Sequence, residues 1–399
     1  MNKIAFYTLG CKLNIAESEE LAAVFKESGF NIKHDGELTD AGIVVVNTCT
    51  VTSKAEQKAR RLIRSLLAAP DAPLIFVTGC YARLNKVEIE ALDTSPPSRR
   101  RVFVIEKFER KSESVMPALT LRSRAFVKIQ DGCNNKCAYC RVRLARGSAH
   151  SENSGVILAK LLKLEAEENA EAVLTGVNIA QYREGALDLA SLLSFLLEKT
   201  QRIALRLASL EPAVFTNSFF QQLQNPRIRP HFHLSIQSAS RRVLNAMHRD
   251  YSVETLNEII TRLRTVKDDP FIACDIIAGF PGETADDFEQ TFVFCAKAEF
   301  AWIHAFPFSP RPGTEAAALR PRVSERETRM RVERLIALAT ESGGRYRRRW
   351  TGREVEAVVE KRLKDGKLSV TTENYLKLKL NAASKELPCA GRAFRCVVS

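Results

Sequence analysis

At 399 residues the chain has room for two or three folded domains, and its 45% hydrophobic content supplies the apolar side chains for their cores. No apolar run approaches the roughly 20 residues of a membrane span, and the opening MNKIAFYTLG reads as a first strand rather than a cleavable leader. A net charge of +13 points to nucleic acid as a partner, while ten cysteines without a leader argue against a disulfide framework and for reduced, cytoplasmic thiols used as ligands.

Residues 1–115 alternate strand and helix. KIAFYTLG predicts a strand, residues 14–29 an amphipathic helix closed by a glycine, and GIVVVN a continuous apolar strand; a basic helix over 51–69 and the strand LIFVTG follow. Such alternation predicts a parallel, doubly wound sheet. Cys11, Cys49 and Cys80 each follow a different strand, so a parallel sheet gathers all three at its carboxyl edge, where open α/β sheets bind ligands. One cysteine at a strand end reads as a core thiol; three at equivalent points read as a ligand set. Lys12, Asn14 and Asn47 flank them, with orientation of a ligand and plain loop capping as open alternatives. On the basic helix, Lys54, Lys58, Arg60, Arg61 and Arg64 face Glu56 alone, which makes either an RNA-binding face or a solvated one.

Residues 109–123 are polar and predict a linker. A second series of strands then runs through AFVKIQ, AVLTGV, IALRLASL, HFHLSIQ, FIACDIIAGF and WIHAFPFS, with helices over 154–169, 187–199 and 286–298 between them. Six βα units predict a partial barrel over residues 120–335, with its site at the rim formed by the strand ends. The first of these strands delivers Cys133-Asn-Asn-Lys-Cys137-Ala-Tyr-Cys140. Thiolates are soft ligands suited to iron–sulfur clusters or zinc. Three of them leave one coordination position open for chemistry, whereas zinc ribbons bring two CxxC pairs and this loop holds one. Further along the rim stand Thr175, Gly176 and Asn178, then Ser209 and Glu211, then Gln237, polar groups suited to a ribose, an amino group and a carboxylate. Singly, each reads as a turn or cap; their repeated position marks them as a site. Cys274 and Cys295 read as core thiols, Cys389 and Cys396 as unligated ones.

From Gly343 to residue 399 the texture changes to period-two alternation, which predicts a small antiparallel β-barrel. This segment carries fourteen Lys and Arg against six Asp and Glu. It opens with Arg345, Arg347, Arg348 and Arg349 interleaved with Tyr346 and Trp350, a pattern that offers phosphate contacts and stacking faces together, or else a charged hinge.

The motifs TLGCKLN, VVNTCTVT, VTGCYA, VKIQDGCNNKCAYC, LTGVNI, SLEP, HFHLSIQSAS, IIAGFPGET and FPFSPRPGT together resemble the radical S-adenosylmethionine (SAM) methylthiotransferases over nearly the whole chain. The resemblance implies a flavodoxin-like domain (1–115), a radical SAM core with a partial TIM-type (β/α)6 barrel (120–335) and a TRAM, or OB-like, β-barrel (343–399). It implies two 4Fe–4S clusters, one on Cys133, Cys137 and Cys140 and an auxiliary one on Cys11, Cys49 and Cys80. SAM would then be both radical source and methyl donor, lined by Tyr139, Thr175, Gly176, Asn178, Ser209, Glu211 and Gln237, with Arg146 near SAM or substrate. The branch it is most similar to acts on N6-threonylcarbamoyladenosine beside the tRNA anticodon. Partners implied are a tRNA anticodon stem-loop, met through Lys58, Arg61 and the arginines at 345 and 347–349, and an electron donor such as flavodoxin or ferredoxin, with the enzyme a cytoplasmic monomer. Isopentenyladenosine tRNA and a ribosomal-protein aspartate remain alternative substrates, and a metal-stabilised RNA-binding protein the alternative class. Two features depart from the family pattern: Arg141, Val142 and Arg143 follow the third loop cysteine where two aliphatics and a proline are usual, and Ala239 stands at a usual glycine position.

Overall fold

The β-branched run Ile43–Val46 forms the centre of the first sheet, with Val44 and Val46 turned to one face and Val45 to the other, all buried. Strands covered on both faces are apolar throughout, which is why this one shows no polar alternation. The computed structural model describes residues 3–34, 41–69, 73–106, 124–381 and 390–398. In the first sheet β1 (Lys3–Leu9), β2 (Asn31–His34), β3 (Ile43–Thr48), β4 (Leu74–Gly79) and β5 (Val102–Val104) are all parallel, in the spatial order β2-β1-β3-β4-β5. Helix α1 (Lys12–Glu27) covers one face, and α2 (Ser53–Leu67), α3 (Cys80–Leu84) and α4 (Lys86–Glu90) the other. Thr52 caps α2, accepting from the Ala55 N–H at 3.2 Å, and α2 buries Ala59, Ile63 and Leu66 while Lys54, Lys58, Arg61 and Arg64 face outward.

Six parallel strands form an open arc in two halves: Ala125–Lys128, Glu171–Thr175 and Ala204–Leu207, then His231–Gln237, Phe271–Ala278 and Trp302–Pro307. Single bridges at Leu205–Ile228 and Leu210–Leu234 join the halves. The arc encloses the largest core, which includes Leu174, Leu205, Leu234 and Ile276, with Cys274 and Cys295 buried in it. Helix α1 packs along the first edge strand, so the amino-terminal sheet closes that side of the arc.

The carboxy-terminal residues form a four-stranded antiparallel sheet, in the order Lys377–Leu380, Leu368–Thr372, Glu354–Arg362, Ala393–Val397. It is reached through a 26-residue helix, Glu325–Trp350, about 39 Å long at 1.5 Å per residue. The boundary read at Gly343 falls inside this helix. A glycine there interrupts the sequence pattern without ending the helix: a Cβ at 343 would lie 3.2 Å from the Ala301 carbonyl oxygen, so the glycine permits close helix–strand packing. The stacking role expected of Tyr346 and Trp350 is also corrected. Both rings point into the core of the terminal sheet, against Val355 and Val370, and Tyr346 Oη donates to the Asp269 carbonyl at 3.0 Å. Cys396 is half-buried, while Cys389 and the whole of the expected linker, residues 109–123, lie outside the described residues.

Candidate metal centres

Parallel register aligns the ends of β1, β3 and β4: Leu9 pairs with Thr48, and Thr48 with Gly79. Cys11, Cys49 and Cys80 therefore emerge from one edge. At Gly79 the backbone takes φ +92°, and a Cβ would stand 2.2 Å from the Thr48 carbonyl oxygen, so only glycine lets β4 turn into α3 and deliver Cys80 there. Beneath the three thiols lies an amide pair. Asn14 Nδ2 donates to Asn47 Oδ1 at 2.7 Å, Asn47 Nδ2 returns a bond to the Asn14 carbonyl at 2.9 Å, and Asn14 Oδ1 accepts from the Cys11 N–H and thiol at 3.3 and 3.1 Å. Both amides are buried, and they staple the Cys11 turn to the strand that carries Cys49. The capping alternative is present at Asn14, which bonds back to the Cys11 N–H, while Lys12 lies apart, over the Tyr375 ring.

Burial lifts the Cys49 thiol to about 12 and raises Cys80, with Cys11 adding to both by its own charge and Arg146 opposing. The second triplet behaves alike. Burial raises Cys133, Cys137 and Cys140, the last to about 11, and within the triplet each negative sulfur penalises the next. All six thiols are free of disulfides. Among the described residues no three Cys, His, Asp or Glu side chains converge as they would around a single ion. The six are two sets of soft, mutually repelling donors that a cluster's positive irons would stabilise, and metal loading would release their protons.

Around the loop of Cys133, Cys137 and Cys140 stands a polar wall. Glu211 accepts from Asn135 Nδ2 at 2.7 Å, from Asn178 and from Arg249. Arg249 also donates to Tyr139 Oη at 2.8 Å and lies over its ring. Asn178 holds Gln130 Oε1 through its N–H at 2.9 Å, and Gly176 rests against the Gln130 carbonyl. Thus Tyr139, Gly176, Asn178 and Glu211 are brought together at the rim with the cysteine loop. Thr175 ends the neighbouring strand, where its carbonyl accepts from Ile129. Ser209 turns toward His233 Nδ1 at 3.2 Å. Gln237 takes a left-handed backbone at φ +68°, an uncommon conformation for a side-chain-bearing residue, where its strand breaks register. Ala239 is buried, its N–H bound to Thr291 Oγ1 at 3.0 Å.

The rim of the arc faces the carboxyl edge of the first sheet, and buried ions join them. Glu56 of α2 receives Arg141 at 3.3 Å and Arg311, while Arg311 also donates to Ser53 Oγ at 2.8 Å and Thr50 Oγ1 at 3.2 Å. The departure at Arg141 is thereby explained: its side chain pairs with the amino-terminal sheet, and Arg143 is exposed. Arg146 bonds Cys80, Glu17 and Asp131. Sequence reasoning had no means to pair Arg249 with Glu211, Arg311 with Glu56, or Arg146 with Cys80; each pairing spans tens to hundreds of residues and leaves no periodic trace. On the candidate RNA face, Lys58 and Arg61 are exposed, as are Arg347 and Arg348. Arg345 pairs with Glu341 at 2.5 Å and Arg349 with Asp269 at 2.8 Å.

Residues 3–97 match the description "Uncharacterized protein family UPF0004", and residues 127–295 the Radical SAM superfamily. The chain is 38% identical to the threonylcarbamoyladenosine tRNA methylthiotransferase MtaB of Treponema pallidum, covering 95% of this chain and 94% of that protein. It is 33% identical to the protein of the same name from Thermotoga maritima, over 94% and 91% of the two. With the tRNA-2-methylthio-N(6)-dimethylallyladenosine synthase of Streptomyces viridosporus it shares 32% identity, over 88% of this chain and 75% of that one. Among solved structures it is similar to TsrM of Kitasatospora setae, a radical S-adenosylmethionine methyltransferase, with TM-score 0.56 at 13% identity over 79% and 77% of the chains, a likeness of fold alone.

Proposed function

This chain belongs to the radical SAM methylthiotransferase family, and from that premise we propose that it methylthiolates C2 of N6-threonylcarbamoyladenosine beside the tRNA anticodon. The observation that carries the reading is the facing of two cysteine triplets across a buried ionic joint. One lies at the carboxyl edge of a parallel sheet, the other at the rim of a partial barrel. Bound there, two 4Fe–4S clusters and two molecules of SAM supply a hydrogen-abstracting radical and a methylated sulfur.

The chain's own residues orient and enclose that chemistry. Cys133, Cys137 and Cys140 would hold one cluster, and Cys11, Cys49 and Cys80 the other. Glu211, held by Asn135, Asn178 and Arg249, is placed to take the amino group of SAM, beside Tyr139, Thr175, Gly176, Ser209 and Gln237. Thr50, Ser53 and Glu56, bound by Arg311 and Arg141, tie the element that carries one triplet to the element that carries the other. An anticodon-loop nucleotide suits the site because its base can leave the stack and enter.

The same reading takes residues 1–115 as a flavodoxin-like unit, supported by the 2-1-3-4-5 strand order. It takes 120–335 as the radical SAM core and 343–399 as a TRAM-type module that grips tRNA. It has the enzyme act as a cytoplasmic monomer fed by a small electron-transfer protein; among the described residues no helix is long and apolar enough to cross a membrane.

Nucleoside mass spectrometry tests the proposal. The anaerobically reconstituted protein, given reductant, SAM and tRNA carrying threonylcarbamoyladenosine, is expected to yield the 2-methylthio nucleoside. Product from isopentenyladenosine tRNA instead would move the substrate to the other branch, and cleavage of SAM with no product from either would discard the tRNA reading.

A further inference from the structure

Arg146 ends the short helix Val142–Arg146 that follows the barrel's third cysteine, yet its guanidinium reaches three other parts of the chain. Nε–H donates to Cys80 Sγ at 2.9 Å. Nη1 donates to Glu17 Oε1 at 2.7 Å and Asp131 Oδ1 at 2.9 Å, and Nη2 to Glu17 Oε2 at 3.0 Å. The side chain is 1% exposed. A planar fork can grip a carboxylate at two points and still aim Nε–H at sulfur, which the single ammonium of lysine cannot do. Two cations, Arg146 and Lys128, stand here against three carboxylates, Glu17, Asp131 and Glu152, so the ensemble brings no surplus of positive charge. What distinguishes Arg146 is a directed donor aimed at a ligand sulfur.

We propose that Arg146 is a positioning residue of the amino-terminal thiolate centre, donating to the Cys80 thiolate and so fixing that ligand and raising the reduction potential of the cluster it holds. The inference rests on the reading of Cys11, Cys49 and Cys80 as cluster ligands. An N–H···S bond draws electron density from sulfur and favours the reduced cluster; outer-shell donors tune metal centres in this way. Because Arg146 lies six residues after Cys140, the same bond also sets one centre against the other.

The test uses the full chain with Cys133, Cys137 and Cys140 changed to Ala, so that any cluster belongs to the amino-terminal triplet. It is reconstituted without oxygen, analysed for iron, and titrated electrochemically with electron paramagnetic resonance as the readout. Arg146→Lys in this background is expected to shift the midpoint to more negative potential. Glu17→Gln, which removes a half-buried negative charge and keeps the arginine, is expected to shift it to more positive potential. Loss of iron from Arg146→Lys while Glu17→Gln stays loaded would equally support the positioning role. An interface merely loosened would move both variants in the same direction. That result, or unmoved midpoints with iron retained, overturns the inference and leaves the ligand reading standing. Absence of iron from the starting protein overturns the ligand reading, and the inference with it.

Discussion

Asn14 and Asn47 show how much of a metal site is set by side chains that never touch metal. Each amide donates to the other's element, so removing either takes a buried hydrogen bond from its partner, though Asn14 Nδ2 keeps the Thr48 carbonyl and Asn47 Nδ2 keeps Ser18 Oγ. We expect Asn47→Ala to cost about 1–3 kcal/mol in thermal or chemical unfolding, and to bind less iron after reconstitution than the parent. Undiminished iron would reduce the pair to a structural staple. Arg311 and Arg141 allow a graded comparison, since both meet Glu56 but Arg311 also holds Thr50 and Ser53. Removing one partner of a buried pair costs about 3–5 kcal/mol. Arg311→Met is expected near that figure and Arg141→Met well below it, because Glu56 keeps its stronger partner; the order of unfolding midpoints checks this. Only part of the network was legible in the sequence. The cysteines and the two asparagines stand at strand ends that apolar runs announce, whereas Arg249 and Arg311 sit in loops whose direction depends on how the arc folds.

At the level of elements, the floor of the arc is joined to the terminal sheet by charge. Glu171, at the start of a barrel strand, is gripped by Arg206 at 2.6 and 2.7 Å and by Arg229 at 3.1 Å, with Arg124 at 4.0 Å. Those arginines reach on to Glu356, Glu360 and the Thr372 carbonyl of the terminal sheet. Tyr375, in a left-handed turn at φ +67°, stacks on His231 with ring centres 3.8 Å apart. Burial alone would raise the Glu171 carboxyl, but Arg206, Arg229 and Arg124 hold it down at about 2, against 4.5 for an ordinary glutamate. A depressed carboxylate contributes stability that is present above its unfolded value and lost as pH falls. The wild-type chain should therefore lose stability between pH about 4.5 and 2 through this group, and Glu171→Gln should flatten that part of the profile while lowering stability at neutral pH; denaturant unfolding at a series of pH values measures both. Period-two patterning disclosed the terminal strands. It could not disclose this floor, because Glu171 and Arg206 lie inside apolar strand patterns where charge reads as an interruption. The long helix was masked in the same way, since Gly343 and Gly344 look like a boundary until the packing against Ala301 is seen.

On the scale of the whole molecule, basic charge is split between the exposed face of α2 and the end of the long helix. Lys58, Arg61, Arg347, Arg348 and Arg349 are exposed; Arg349 pairs with Asp269, and the half-buried Arg345 with Glu341. Replacing Lys58, Arg61 and Arg348 with Ala is expected to lower the logarithmic salt slope of tRNA binding by roughly 0.7–0.9 for each phosphate left without its cation. Replacing Arg345 and Arg349 should change the slope little; equal effects from the two sets would show that engagement with acidic neighbours does not matter to the RNA. The amino-terminal sheet, the arc and the terminal sheet have cores of their own, and the joints between them carry buried ions: Glu56 and Arg146 at the rim, Glu171 at the floor. That arrangement has a consequence for biosynthesis. A ribosome releases the amino-terminal sheet first, and the edge awaiting its partner presents Glu17 and Glu56, which water solvates readily. A greasy edge would court misassembly with neighbouring nascent chains during the interval before the barrel emerges; a charged one can wait.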